Sequence, residues 1–150
     1  MRYEKAQEGQ AAGTADRLLF WFLHGDGNGP IQAKKETSPM PIIAKVISVP
    51  ANSSIDNIFS GSAFEFARGP SIVSLGMAQS ATGLQCQFTS GADVVVEESA
   101  PPIKTGFPVI PDEFYASDIA APGDRFVLRA RNTTAGALTL SAILQIQEVG

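Results

Sequence analysis

From Pro41 onward the chain is cut into short β-forming runs, each closed by a turn signal at a spacing of roughly ten residues. Pro41 to Val49 is rich in Ile and Val and stops at Pro50 and the turn residues Asn52-Ser53-Ser54. Ile55 to Phe59 makes a short element, and Ala63-Phe64-Glu65-Phe66 alternates up to Arg68-Gly69-Pro70. Further runs follow at Ser71–Ala78, Leu84–Phe88, Ala92–Glu97, Arg125–Arg131 and Ala137–Val149. Within Arg125–Arg131 the residues Phe126, Leu128 and Ala130 share one face, because side chains alternate along a strand. Convincing helical periodicity is absent, and the best candidate, 112–119, is too short to decide between helix and strand. Eight or nine short strands at this spacing predict an all-β domain. The long proline-bearing loop at 99–111 favours a jelly-roll or Greek-key β-sandwich of about eight strands over a simple meander.

The first 40 residues follow different rules. Residues 1–16 are rich in Gln, Ala, Gly and charge, and cannot bury enough apolar area to offset the entropy of ordering. They read as a flexible N-terminal arm, with a fully extended reach of roughly 55 Å. Then comes an uncharged run, Leu18-Leu19-Phe20-Trp21-Phe22-Leu23. Burying it is worth on the order of 10 kcal/mol before entropy, too much to leave in water. Either it packs on its own sandwich or it docks on a partner, which makes Leu18 to Leu23 the candidate partner-binding segment. His24-Gly25-Asp26-Gly27-Asn28-Gly29-Pro30 breaks any regular structure, and a linker follows. The expected organisation is arm, apolar segment and linker over 1–40, and a β-sandwich over 41–150.

Composition narrows the chemistry. With 11 basic and 15 acidic residues the net charge is -4, and no basic cluster exists to neutralise phosphates, so nucleic acid is not expected as a ligand. Charged residues are 17% of the chain, below the roughly 25% usual for globular proteins, which suggests that neutral surface is covered by partners. The single cysteine, Cys86, allows no internal disulfide and no cysteine-based zinc site, and its alternating run makes it a small buried apolar residue. One histidine, His24, cannot build a triad with the distant Cys86 or a cupin-type metal site. Asp26-Gly27-Asn28-Gly29 has the style of a calcium loop but lacks the later bidentate acid, since Glu36 is at the wrong spacing. The adjacent carboxylates Glu97-Glu98 and Asp112-Glu113 diverge if extended. No catalytic residue, metal or cofactor is expected. The polar start and the six-residue apolar run fit neither a secretory signal nor a membrane span, so folding in a cytoplasm is expected.

The last strand matters for assembly. Leu138, Leu140, Ala142, Leu144 and Ile146 line one face, and the other face is neutral up to Glu148. A long neutral strand without Lys, Pro or a bulge is hazardous at a sheet edge. It is therefore central in its sheet or paired with another chain.

Three stretches also carry a resemblance: Ile55-Asp56-Asn57-Ile58-Phe59-Ser60-Gly61-Ser62, Gly91-Ala92-Asp93-Val94-Val95-Val96-Glu97-Glu98, and Ala121-Pro122-Gly123-Asp124-Arg125-Phe126-Val127-Leu128-Arg129-Ala130-Arg131-Asn132-Thr133-Thr134. In these the chain, over residues 41–149, resembles small β-sandwich structural proteins of bacteriophage virions, of the minor capsid, decoration or cement type. The resemblance implies a jelly-roll-like subunit, often trimeric, bound to the major capsid protein or other virion proteins, with no catalytic residues. It implies a homo-oligomer in the virion, assembled in the host cytoplasm. An alternative is a receptor- or glycan-binding module of a tail fibre or surface adhesin, in which Tyr3, Trp21 and Tyr115 stack on sugars.

Overall fold

The computed structural model describes residues 40–149. The arm, the Leu18–Leu23 segment and His24 lie outside the described residues. The described elements are all strands: β1 Ile42–Val49, β2 Ser54–Ile55, β3 Ser71–Gln79, β4 Leu84–Ser90, β5 Asp93–Ser99, β6 Ala116–Ala120, β7 Phe126–Asn132 and β8 Leu138–Glu148. They form two four-stranded sheets, sheet A in the order β1-β8-β3-β6 and sheet B in the order β2-β7-β4-β5. All pairings are antiparallel. The first strand pairs with the eighth, the second with the seventh, the third with the sixth and the fourth with the fifth. The chain is thus one long hairpin folded over on itself, the jelly-roll arrangement. Of the two places open to its neutral strand, β8 takes the one inside sheet A, covered by β1 and β3 on its two edges.

The alternation read from the sequence decides what lies between the sheets. In β4, Leu84, Cys86 and Phe88 point inward and the glutamines between them do not. In β7, Phe126, Leu128 and Ala130 meet them from the neighbouring strand. Sheet A contributes Val73, Leu75 and Met77 from β3, and Leu140, Ala142, Leu144 and Ile146 from β8. Phe59, Phe88 and Phe126 are the largest fully buried side chains, and truncating one to Ala costs about 3–5 kcal/mol. The Cys86 thiol is buried among them; desolvation, with Glu98 nearby, pushes its pKa up to about 12, so it stays a neutral packing atom.

Two local expectations are corrected, and a stretch left open in the sequence is resolved. Ile55 to Phe59 is a strand only at Ser54–Ile55; the chain then turns, with Ile58 and Phe59 buried. Ala63 to Phe66 is not a strand, despite its alternation; Glu65 is buried and Phe66 exposed, the reverse of what apolar patterning implies. The reason is a polar cluster. Glu65 Oε1 accepts from Arg125 Nε at 2.8 Å and Nη2 at 2.7 Å, and Oε2 accepts from the Gly61 amide at 2.8 Å. Asn57 locks the same segment to β7, taking the Phe59 and Leu128 amides on Oδ1 and donating from Nδ2 to the Phe126 carbonyl. Finally, the helical candidate at 112–119 ends in β6, because Ile72 and Ser74 of β3 register with Ile119 and Ser117.

Asn132 closes the opposite end. It is 1% exposed, donates to the carbonyls of Val49 and Gly136, and accepts from the Thr134 amide. It ties the ends of β1 and β7 to the turn before β8. Asn132→Ala should lower the unfolding free energy by about 2–3 kcal/mol, through carbonyls left unpaired in the interior, as read by urea titration. A second expectation follows from Glu65. The Gly61 amide first, then Arg125, hold its carboxyl below the usual carboxylate range. The stability it contributes is whole above the unfolded-state value of about 4.3 and is lost as pH falls through the lower folded value. Urea midpoints should hold steady from neutrality to about pH 5 and fall below it, and Glu65→Gln should flatten that fall.

Candidate functional site

Most residues buried between the sheets are apolar, so the two sheets differ most in what they turn outward. Sheet B carries charge. Arg129 and Arg131 of β7 project there, and Glu98 of β5 accepts from Arg131 Nε at 2.7 Å and Nη2 at 2.6 Å. The strands of sheet A turn no charged side chain outward. β1 contributes Ile42, Ala44, Val46 and Ser48. β8 contributes Thr139, Ser141, Ile143, Gln145 and Gln147, and β3 contributes Ile72, Ser74, Gly76 and Ala78. β6 adds Ser117 and Ile119, the latter 77% exposed, and Ser74 and Ser117 share a hydrogen bond of 3.0 Å. Ile42 and Val46 are also more than half exposed.

The loop after β5 crosses part of this face. Gln79 anchors its start, donating its amide to the Pro102 carbonyl and accepting from the Lys104 amide. The Tyr115 amide returns to the Leu75 carbonyl at the other end. Between them Pro108 lies on Gly76, where a Cβ would stand 3.0 Å from the Pro108 Cβ. A Lys104–Glu113 ion pair closes the loop on itself; with the Val109 amide it holds the Glu113 carboxyl below its ordinary value. Beside the loop lies an open groove of about 510 Å³. Ile42, Ile72, Ile110, Pro111 and Phe114 give it apolar walls, and Ser74, Gln145 and Gln147 supply hydrogen-bonding groups. This is the chemistry of a docking surface, apolar with a few neutral polar groups.

The other residues singled out in the sequence fall elsewhere. Glu97 and Glu98 lie at sheet B, and Glu98 is engaged by Arg131. Asp112 and Glu113 are in a turn rather than a strand, and Glu113 faces Lys104. Among the described residues no three His, Cys, Asp or Glu side chains gather as a metal site. Tyr115 hydrogen-bonds Ser99 through its hydroxyl at 2.9 Å. Leu18 to Leu23, Trp21 and Tyr3 lie outside the described residues. Sequence reasoning missed the groove, because its two walls come from β1, β3 and β8 and from a loop some 30 to 70 residues away in the chain. The one usable signal was the pairing of a neutral strand face with a proline-rich loop. The structure also brings together the three quoted stretches: Ile58 bonds Leu128, and Gly91 bonds Arg125, all around the start of β7.

Gly76→Val should unseat the loop by overpacking against Pro108, at a cost of about 1–3 kcal/mol. Proteolysis between 100 and 115 should then speed up roughly 5- to 150-fold while the far-ultraviolet spectrum is unchanged.

No family model matches the chain, and no curated protein does. Among solved structures, one chain from the Bacillus endospore appendages, described as a novel family of disulfide-linked pili, aligns with 76% of this chain and 94% of its own length. The two are 11% identical with a TM-score of 0.35, a likeness too slight to carry an inference about this protein.

Proposed function

We propose that this protein is a structural subunit of a virion, a capsid decoration or cement protein or a minor capsid subunit, acting by binding and self-assembly without catalysis. The observation that supports this most is the uncharged outer face of sheet A with its groove, set against the charged face of sheet B. A face of exposed Ile, Val and neutral polar residues gains from being covered and loses little solvation when it is. In this reading it lies on the major capsid protein or another virion protein. Leu18 to Leu23 is a second contact, tethered through the linker, so that two weak attachments act as one strong one. Copies associate with each other, as threes in the proteins that the three quoted stretches resemble.

The test is to fractionate the particles made where this protein is produced and to image them by electron microscopy. The protein is expected at a fixed copy number on the particle surface. Ile72→Glu combined with Ile119→Glu should keep the fold by circular dichroism and cut occupancy at least about tenfold, the effect of losing two apolar contacts. Removal of residues 1–24 should likewise leave circular dichroism unchanged and lower occupancy. A protein found free in the lysate and absent from particles would sink the reading.

A further inference from the structure

Four strands lie at sheet margins among the described residues, and three of them are blunted. β2 is two residues long. β6 is five residues long and carries Asp118 on its inner side. β5 holds Asp93, Glu97 and Glu98, and its register against β4 shifts twice, the mark of a bulge. Each of these is a known defence against pairing with another strand. β1 differs. It runs eight residues in unbroken register with β8, and the one such defence it carries is Lys45, on its inner side.

The hydrogen-bond phase of β1 can be derived. The Ile146 amide donates to the Pro41 carbonyl at 3.0 Å. In an antiparallel ladder alternate pairs exchange bonds, so Ile43, Lys45, Ile47 and Val49 bond to β8. Ile42, Ala44, Val46 and Ser48 therefore direct their amides and carbonyls away from β8. Among the described residues no strand takes them. These four residues also hold the uncharged outer side chains.

We propose that β1 pairs antiparallel with β1 of a second copy across a two-fold axis, joining two four-stranded sheets into one of eight. Lys45 selects the register. Centring the axis on Lys45 would set two like charges directly opposite, which is unfavourable. A shift that keeps inner faces aligned puts Val46 on the axis, Ala44 opposite Ser48, and Lys45 beside Ile47 of the other copy. Small residues then face small ones, and the uncharged outer face continues across the axis. A second copy is the favoured occupant because this strand is self-complementary in that register. The proposal names how copies join, and so rests on the self-association part of the reading above; a two-fold contact on β1 joins copies in twos, in place of the threes that the resemblance implies.

The experiment uses the full chain. Light scattering after size exclusion should show association at micromolar concentration. Val46→Pro removes an outward amide and no β1–β8 bond, a place where an edge strand tolerates proline. It should weaken association about tenfold or more, whereas Val46→Thr, which keeps the amide, should associate like the parent. Val46→Cys should form a disulfide-linked dimer on oxidation, since paired Cα atoms about 5.5 Å apart suit the bond. The native Cys86 is buried and protonated, so it does not compete. A monomeric parent, a Val46→Pro protein that associates normally, or an associating Val46→Cys protein that never crosslinks would each overturn the proposal. A monomer that nonetheless occupies particles would overturn the edge pairing alone. A crosslinked dimer absent from particles would uphold the pairing and sink the virion reading.

Discussion

The architecture depends on hiding the edges of one strand. β8 spans Leu138–Glu148 with no charge before Glu148, and a ten-residue neutral run in a strand needs a ladder on both sides. β1 supplies one from the start of the domain and β3 the other. Once the first and last strands lie together, the strands between them must nest. The long hairpin and the two-sheet sandwich then follow, with β7 and β4 repeating the same close packing in sheet B.

Polar side chains do at the corners what apolar ones do in the middle. Asn132 replaces a missing ladder at one end of β7, and Asn57 with Glu65 and Arg125 does so at the other. Each brings together backbone groups that are far apart in sequence, and Asn132 and Glu65 are nearly or wholly withdrawn from water, while the Arg125 side chain stays half exposed. A buried polar group is costly unless satisfied, so these clusters fix one geometry rather than merely adding attraction.

Much of this was legible in the sequence because alternation is local. Leu84-Gln85-Cys86-Gln87-Phe88 and Phe126–Ala130 announced their inner faces, and the neutral Leu138–Ile146 run announced its central place. What stayed hidden was long-range compensation. Glu65 looked like the outward residue of a strand because its partner Arg125 is 60 positions away. The 112–119 stretch looked uncertain because β3, not its own composition, makes it a strand. The groove was hidden for the same reason: no window of sequence contains both Ile42 and Phe114. The contrast between the charged outer face of sheet B and the uncharged outer face of sheet A came half from alternation and half from knowing which strands share a sheet.

The pairing of β1 with β8 has one more effect. Ile42 stands beside Gln145, so the polypeptide comes into the sandwich and goes out of it at one corner. Cargo genetically joined beyond β8 would leave next to the residues leading into β1, with the loops at Asn52, Gly83 and Thr134 clear at the other end of the ladder. Linking the two ends and reopening the chain at such a loop would create a permuted protein with every ladder intact.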